Sequence, residues 1–118
     1  MTSVDALELF KPLGYKVDPK VCETLDGYGV EVICSRYHGM GHVQVLCMQS
    51  NKRSPNKYFL GVLGGSDGYA AQDNHNIFVK AVKDKSKYLT LEEVFEYALY
   101  TMNNSIYTTY EEMKNSRR

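Results

Sequence analysis

From about Val30 to Val82 apolar residues recur at every second position, and from Leu91 onward at every third or fourth. The first rhythm sends side chains to alternate faces of extended strands, and the second gathers them on one side of a helix. A chain carrying both in that order is constrained to a sheet followed by a helical layer.

The strongest local signal is a hairpin. Gly29–Tyr37 and His42–Met48 both alternate, and Gly39-Met40-Gly41 lies between them, where glycine supplies the positive φ of a tight turn. A two-residue loop at Met40 and Gly41 is the favoured register. It sets Cys34 opposite Cys47, with Val32, Val43 and Val45 on the same face; a three-residue loop separates the thiols. Tyr58–Leu63 is nearly continuous in apolar character and suits a well-buried third strand. Residues 64–76, rich in Gly, Asp and Asn, read as a long loop, and Ile77–Val82 as a fourth strand.

Helices are marked at both ends. Ser3–Phe10 collects Val4, Leu7 and Phe10 on one side, and Pro12 and Gly14 then stop it. Residues 15–28 read as irregular connection or a weak strand. Thr90-Leu91-Glu92-Glu93 fits the capping box, and Leu91, Val94, Phe95, Ala98 and Met102 form a stripe suited to packing on a sheet. Asn103-Asn104-Ser105 weakens this helix because short polar side chains compete for its backbone, while Ile106, Tyr110 and Met113 could continue the stripe. The predicted fold is a single α+β domain over residues 1–118: a short amino-terminal helix, about four mainly antiparallel strands, and a carboxyl-terminal helix, open to a break near Asn103–Ser105, packed on the sheet.

Fourteen basic residues balance fourteen acidic ones. A dedicated nucleic-acid or anionic-membrane binder carries a basic excess, so any basic surface here is local. Three cysteines, an odd number, and no charged-then-apolar leader point to a reducing, intracellular setting. No apolar run approaches the roughly 20 residues of a membrane span.

No constellation of catalytic residues stands out. Cys34, His38, His42 and Cys47 are proper zinc ligands by type, but Cys34 and His38 on one strand lie roughly 13 Å apart at about 3.3 Å per residue. Buried thiols and turn-facing histidines account for them better. Gly61–Gly68 is glycine-rich like a phosphate loop, yet no Lys-Ser or Lys-Thr follows. The sequence implies neither cofactor nor metal.

What is left favours recognition. Ten tyrosines accompany no tryptophan. On a continuous helix Tyr100, Tyr107 and Tyr110 form a face offset from the core stripe, suited to a partner because tyrosine offers a large contact area with a polar tip. Asp67, Tyr69, Asp73 and His75 in the 64–76 segment are further partner-binding candidates. The expectation is a small non-enzymatic protein-interaction module of accessory or inhibitor type, with an unidentified protein partner and room for self-association. One alternative is nucleic-acid binding, with Arg36, Lys52, Arg53 and Lys57 on phosphates and Tyr37 or Tyr58 stacking on bases. Another is a small-ligand or catalytic site near residues 64–76.

Overall fold

The computed structural model describes residues 3–39, 41–49, 57–64 and 68–116, with side chains described over 5–39, 41–49, 57–64 and 75–116. Helix α1 spans Ser3–Phe10 and runs into a 3-10 turn at Lys11–Leu13 that Gly14 ends at φ +96°. Helix α2 covers Pro19–Thr24, starting on Asp18, whose carboxylate accepts from the Lys20 amide. Strands β1 (Val30–Tyr37), β2 (His42–Gln49) and β3 (Phe59–Gly64) follow, then α3 (Gly68–Ala81), α4 (Leu91–Asn103) and α5 (Tyr110–Ser116). The class is α+β, as the periodicity predicts.

The described residues form a three-stranded antiparallel sheet in the order β1-β2-β3. The fourth predicted strand is helix. Along 77–82 the buried residues are Phe78 and Val82, one helical turn apart, while Ile77 and Lys80 face solvent. The β-branched residues Ile77, Val79 and Val82 favour a strand locally, but packing overrides that preference. The Phe78 ring meets Phe59 of β3 edge-on at 5.4 Å, and Gly61 leaves room for it. The loop expected over 64–76 is corrected likewise, since α3 already begins at Gly68. Within residues 15–28, expected as irregular connection or a weak strand, Pro19–Thr24 form α2 and Lys16 makes an isolated antiparallel bridge to Ser35 of β1.

The hairpin forms, with a different register. Tyr37 pairs with Val43 and Cys34 with Leu46, which is the three-residue loop, and His38 N–H donates to His42 O at 2.9 Å. Between Cys34↔Leu46 and Val32↔Cys47 the first strand advances two residues while the second advances one, so Ile33 is the extra residue of a bulge. Directly opposed residues share a face and successive ones alternate. Cys34 therefore lies with Leu46 on one face and Cys47 with Val32 on the other, and the expected opposition of the thiols does not occur.

Each face carries its own core. On one side Cys34, Leu46, Tyr58 and Leu60 meet Ala6 and Phe10 of α1 and Leu91, Val94 and Ala98 of α4. On the other Val45, Cys47, Phe59 and Leu63 meet Val21 and Leu25 from the α2 region, Phe78 and Val82 from the α3 region, and Tyr88. Helices thus cover both faces, whereas the sequence led us to expect only the carboxyl-terminal layer. The reason is α3 together with α2, which share the second face.

The Thr90 capping box is present, with Glu93 N–H donating to Thr90 Oγ1 at 3.2 Å and Thr90 N–H donating to Glu93 Oε1 at 2.9 Å. Thr101, rather than Met102, completes the buried stripe of α4. Its hydroxyl accepts from Gln44 Nε2 at 3.0 Å, and Gln44 Oε1 accepts from the Tyr15 hydroxyl. This chain satisfies three buried polar groups and ties the α1–α2 connection, the central strand and α4 together. No helix among the described residues is long and apolar enough to cross a membrane.

Candidate functional site

Strand β3 lies at the sheet edge, and its pleat decides which backbone groups face outward. Tyr58 exchanges both backbone hydrogen bonds with Leu89, each 2.7 Å, on the side away from β2. Since N–H and C=O directions alternate along a strand, Phe59, Gly61 and Leu63 turn theirs toward β2, while Leu60 and Val62 turn theirs to the open side. The ladder agrees, because Cys47↔Phe59, Val45↔Gly61 and Val43↔Leu63 are then its hydrogen-bonded pairs. Leu60 and Val62 have no backbone partner on that side among the described residues.

A cleft of about 520 Å³ opens along this edge. Phe59–Val62 form its floor, and Ile77, Phe78 and Ala81 of α3 one wall. The opposite wall is Tyr97 of α4 with Ile106–Tyr110 and Glu111, and Ser86, Lys87 and Leu89 close one end. The lining is mainly apolar and aromatic, with Lys87 and Glu111 as the charges among the described residues. Ile77 is 64% exposed and Tyr107 53%, so large hydrophobic side chains stand in water on both rims.

The second wall exists because α4 stops where the asparagines stand. Asn103 and Asn104 turn their side-chain amides back onto the Leu99 and Tyr100 carbonyls at 3.1 and 2.9 Å. Ser105 closes a turn with Thr108, after which Thr109 caps α5 and Glu112 N–H donates to its hydroxyl at 3.1 Å. Tyrosines then pin the connection. The Tyr97 hydroxyl donates to Thr108 O at 2.5 Å, and the Tyr110 ring packs edge-on against Tyr97 with its hydroxyl donating to Glu93 Oε2 at 3.2 Å. Burial pushes the Tyr97 phenol up to about 12, so it stays neutral and a donor.

The predicted tyrosine face is divided by this break. Tyr100 donates to Ser116 Oγ at 3.0 Å and holds α5 to α4, while Tyr110 opens α5. Of the three, Tyr107 and Tyr110 reach the cleft, and Tyr107 also meets the His42 ring at 5.6 Å. His75 lies elsewhere, at a shallow groove between α3 and the α2–β1 connection, where its Nε2 is 3.3 Å from the Tyr28 hydroxyl. Asp67 lies outside the described residues, and Tyr69 and Asp73 belong to α3 with side chains outside them.

The described residues of the nucleic-acid alternative are not brought together. Arg36 and Tyr37 end β1 beside the hairpin turn, whereas Lys57 and Tyr58 stand at the far end of the sheet before β3. Tyr58 is fully buried and offers no ring face to a base. Lys52 and Arg53 lie outside the described residues.

Neither strand thiol reaches the cleft. Burial pushes Cys34 up to about 12 and Cys47 upward as well, which keeps both protonated and poorly nucleophilic. Among the described residues no group of three or more His, Cys, Asp or Glu could hold a metal ion. The arrangement can bind by shape, apolar contact and edge hydrogen bonding. Sequence reasoning missed the floor and the α3 wall, namely Leu60, Val62 and Ile77, and part of the second wall, Tyr97 and Ile106. One signal was available: Thr109-x-x-Glu112 repeats the Thr90-x-x-Glu93 pattern and marks the start of α5.

No protein-family model, curated protein or solved structure matches this chain.

Proposed function

We propose that this chain is a small non-enzymatic protein-interaction module, of accessory or inhibitor type, that binds a partner protein in the β3-edge cleft. The observation that carries the reading is the pairing of an open strand edge with exposed Ile77 and Tyr107 on opposite rims of one apolar cleft. Apolar surface gathered in this way is the usual mark of a recognition site, and an aromatic at its rim suits an anchoring contact. The carboxyl-terminal segment contributes through the α4–α5 connection.

The test is capture from cell extract by the intact chain and by Ile77→Glu, compared quantitatively by mass spectrometry. Ile77 is an exposed helix position, so its replacement leaves stability within about 0.5 kcal/mol. A partner held by the intact chain is expected to fall by about tenfold with Ile77→Glu, as for loss of a contact of about 1.4 kcal/mol. Equal recovery of every captured protein by both forms would remove the cleft as the binding site.

A further inference from the structure

The geometry points to strand addition: the cleft receives an extended peptide segment of the partner as a new antiparallel strand on β3. This rests on reading the cleft as a protein-binding surface, and it specifies what enters. Leu60 and Val62 each direct one donor and one acceptor into the cleft, at a repeat of about 6.7 Å for two strand residues. An extended polypeptide offers the complementary groups at that repeat, and an acyl chain or a simple aromatic ligand does not.

The lane is already started by the chain itself. Leu89 pairs antiparallel with Tyr58, so residues 87 and 85 would come beside Leu60 and Val62 if the strand continued. Instead Lys85–Lys87 turn into a 3-10 helix that the Asp84 carboxylate caps by accepting from the Ser86 amide at 3.0 Å, and no other described residue pairs along the lane. In an antiparallel guest three residues suffice to fill it. The first and third exchange both bonds with Leu60 and Val62, giving four hydrogen bonds, and the second turns its backbone away.

The walls determine the guest side chains. Residues directly opposed across a ladder share a face. The first and third guest residues therefore point toward Tyr97, Ile106 and Tyr107 on the α4 side, and the second toward Ile77 and Ala81 of α3. Both walls are apolar, so the preferred core is a run of three apolar residues, as for a strand covered on both sides. A second copy of this chain is a poorer occupant through its own β3. Leu60 is only 5% exposed between the two helical layers, and two recessed edges do not meet.

The experiment is selection of random heptapeptides on the full-length chain, followed by solution NMR with the selected peptides. Enrichment of three-residue apolar runs is expected, with slowed amide exchange at Leu60 and Val62 on binding. N-methylation at both pairing positions should weaken affinity by about tenfold or more, because two backbone donors are lost, whereas methylation of the middle residue should not. Val62→Pro, which removes only the outward donor at an edge position that tolerates proline, should reduce binding of the same peptides.

Absence of any enriched peptide overturns strand addition. So does binding that survives N-methylation at every position, or Leu60 and Val62 protection by self-association without peptide. A partner captured in an Ile77-dependent manner that the selected peptides do not displace also overturns strand addition, while leaving the interaction module intact. Loss of the Ile77 dependence itself removes the cleft as the binding site, and strand addition with it.

Discussion

Gly61 shows how one missing side chain sets the spacing of two layers. A Cβ built there would sit 2.7 Å from Phe59 Cε1 and 3.1 Å from Phe78 Cδ2, so the ring pair that joins α3 to β3 fills the space a side chain would need. Gly61→Ala is expected to destabilise the fold by about 1–3 kcal/mol, as overpacking does, read as a lower denaturant midpoint with an unchanged slope. The thiols are graded at the same scale. Cys34 and Cys47 are buried and held protonated, and Cys22 is half-buried on α2. Alkylation of the native chain at neutral pH should label Cys22 first, with the strand thiols labelled only as the protein opens; equal rates at all three, followed by peptide mapping, would contradict this burial.

At the scale of elements, two capping boxes do unequal work. Thr90 starts α4, whose Leu91, Val94, Ala98 and Thr101 are buried, while Thr109 starts the seven-residue α5, anchored by Met113. Thr90→Ala should cost about 1 kcal/mol of global stability, and Thr109→Ala should chiefly loosen α5, a contrast measurable by denaturation beside helix-specific amide exchange. The Thr90 amide, donating to Glu93, holds that carboxyl below its ordinary range. A depressed folded-state value means that the contribution is complete above the ordinary glutamate range and is lost as pH falls through the folded value. Glu93→Gln should therefore destabilise the fold at neutral pH and lose much of its effect in acid, where the wild type has already lost the ionised partner.

Elements also show what could be read in advance. The hairpin, α1 and the start of α4 carry local signals: alternation around glycines, an apolar side ended by Pro12 and Gly14, and a hydroxyl three residues before a glutamate. The assignment of 77–82 failed because a six-residue β-branched stretch fits either period, and the deciding contact, Phe78 on Phe59, is remote in sequence. The bulge at Ile33 has no marker of its own, yet it changes the face on which Cys34 lies. The cleft was illegible for the same kind of reason. Its floor consists of backbone groups whose direction depends on strand pairing, and its walls come from α3 and a helix break that only packing brings together.

Across the whole molecule, stability is expected to be uneven. Strand β2 is paired on both sides and sandwiched between both cores, whereas α5 is short and held by Met113 and a few tyrosine hydroxyl bonds. Native-state hydrogen exchange should find the slowest amides in β2 and the fastest helical ones in α5. A uniform profile would show that the second cleft wall is no more mobile than the sheet. The gradient suits a site with a fixed floor and one adjustable side, since guest entry needs movement only where it is cheap.

The displaced register has a last consequence. With Cys34 under the α1–α4 core and Cys47 under the α2–α3 core, the sheet is a partition between the two sulfurs. An oxidant acting on the intact fold has no internal pair of strand thiols to join. Cys22, half-buried on α2, is then the thiol that an oxidant meets first on the intact fold, with the strand sulfurs behind it on opposite sides of the sheet.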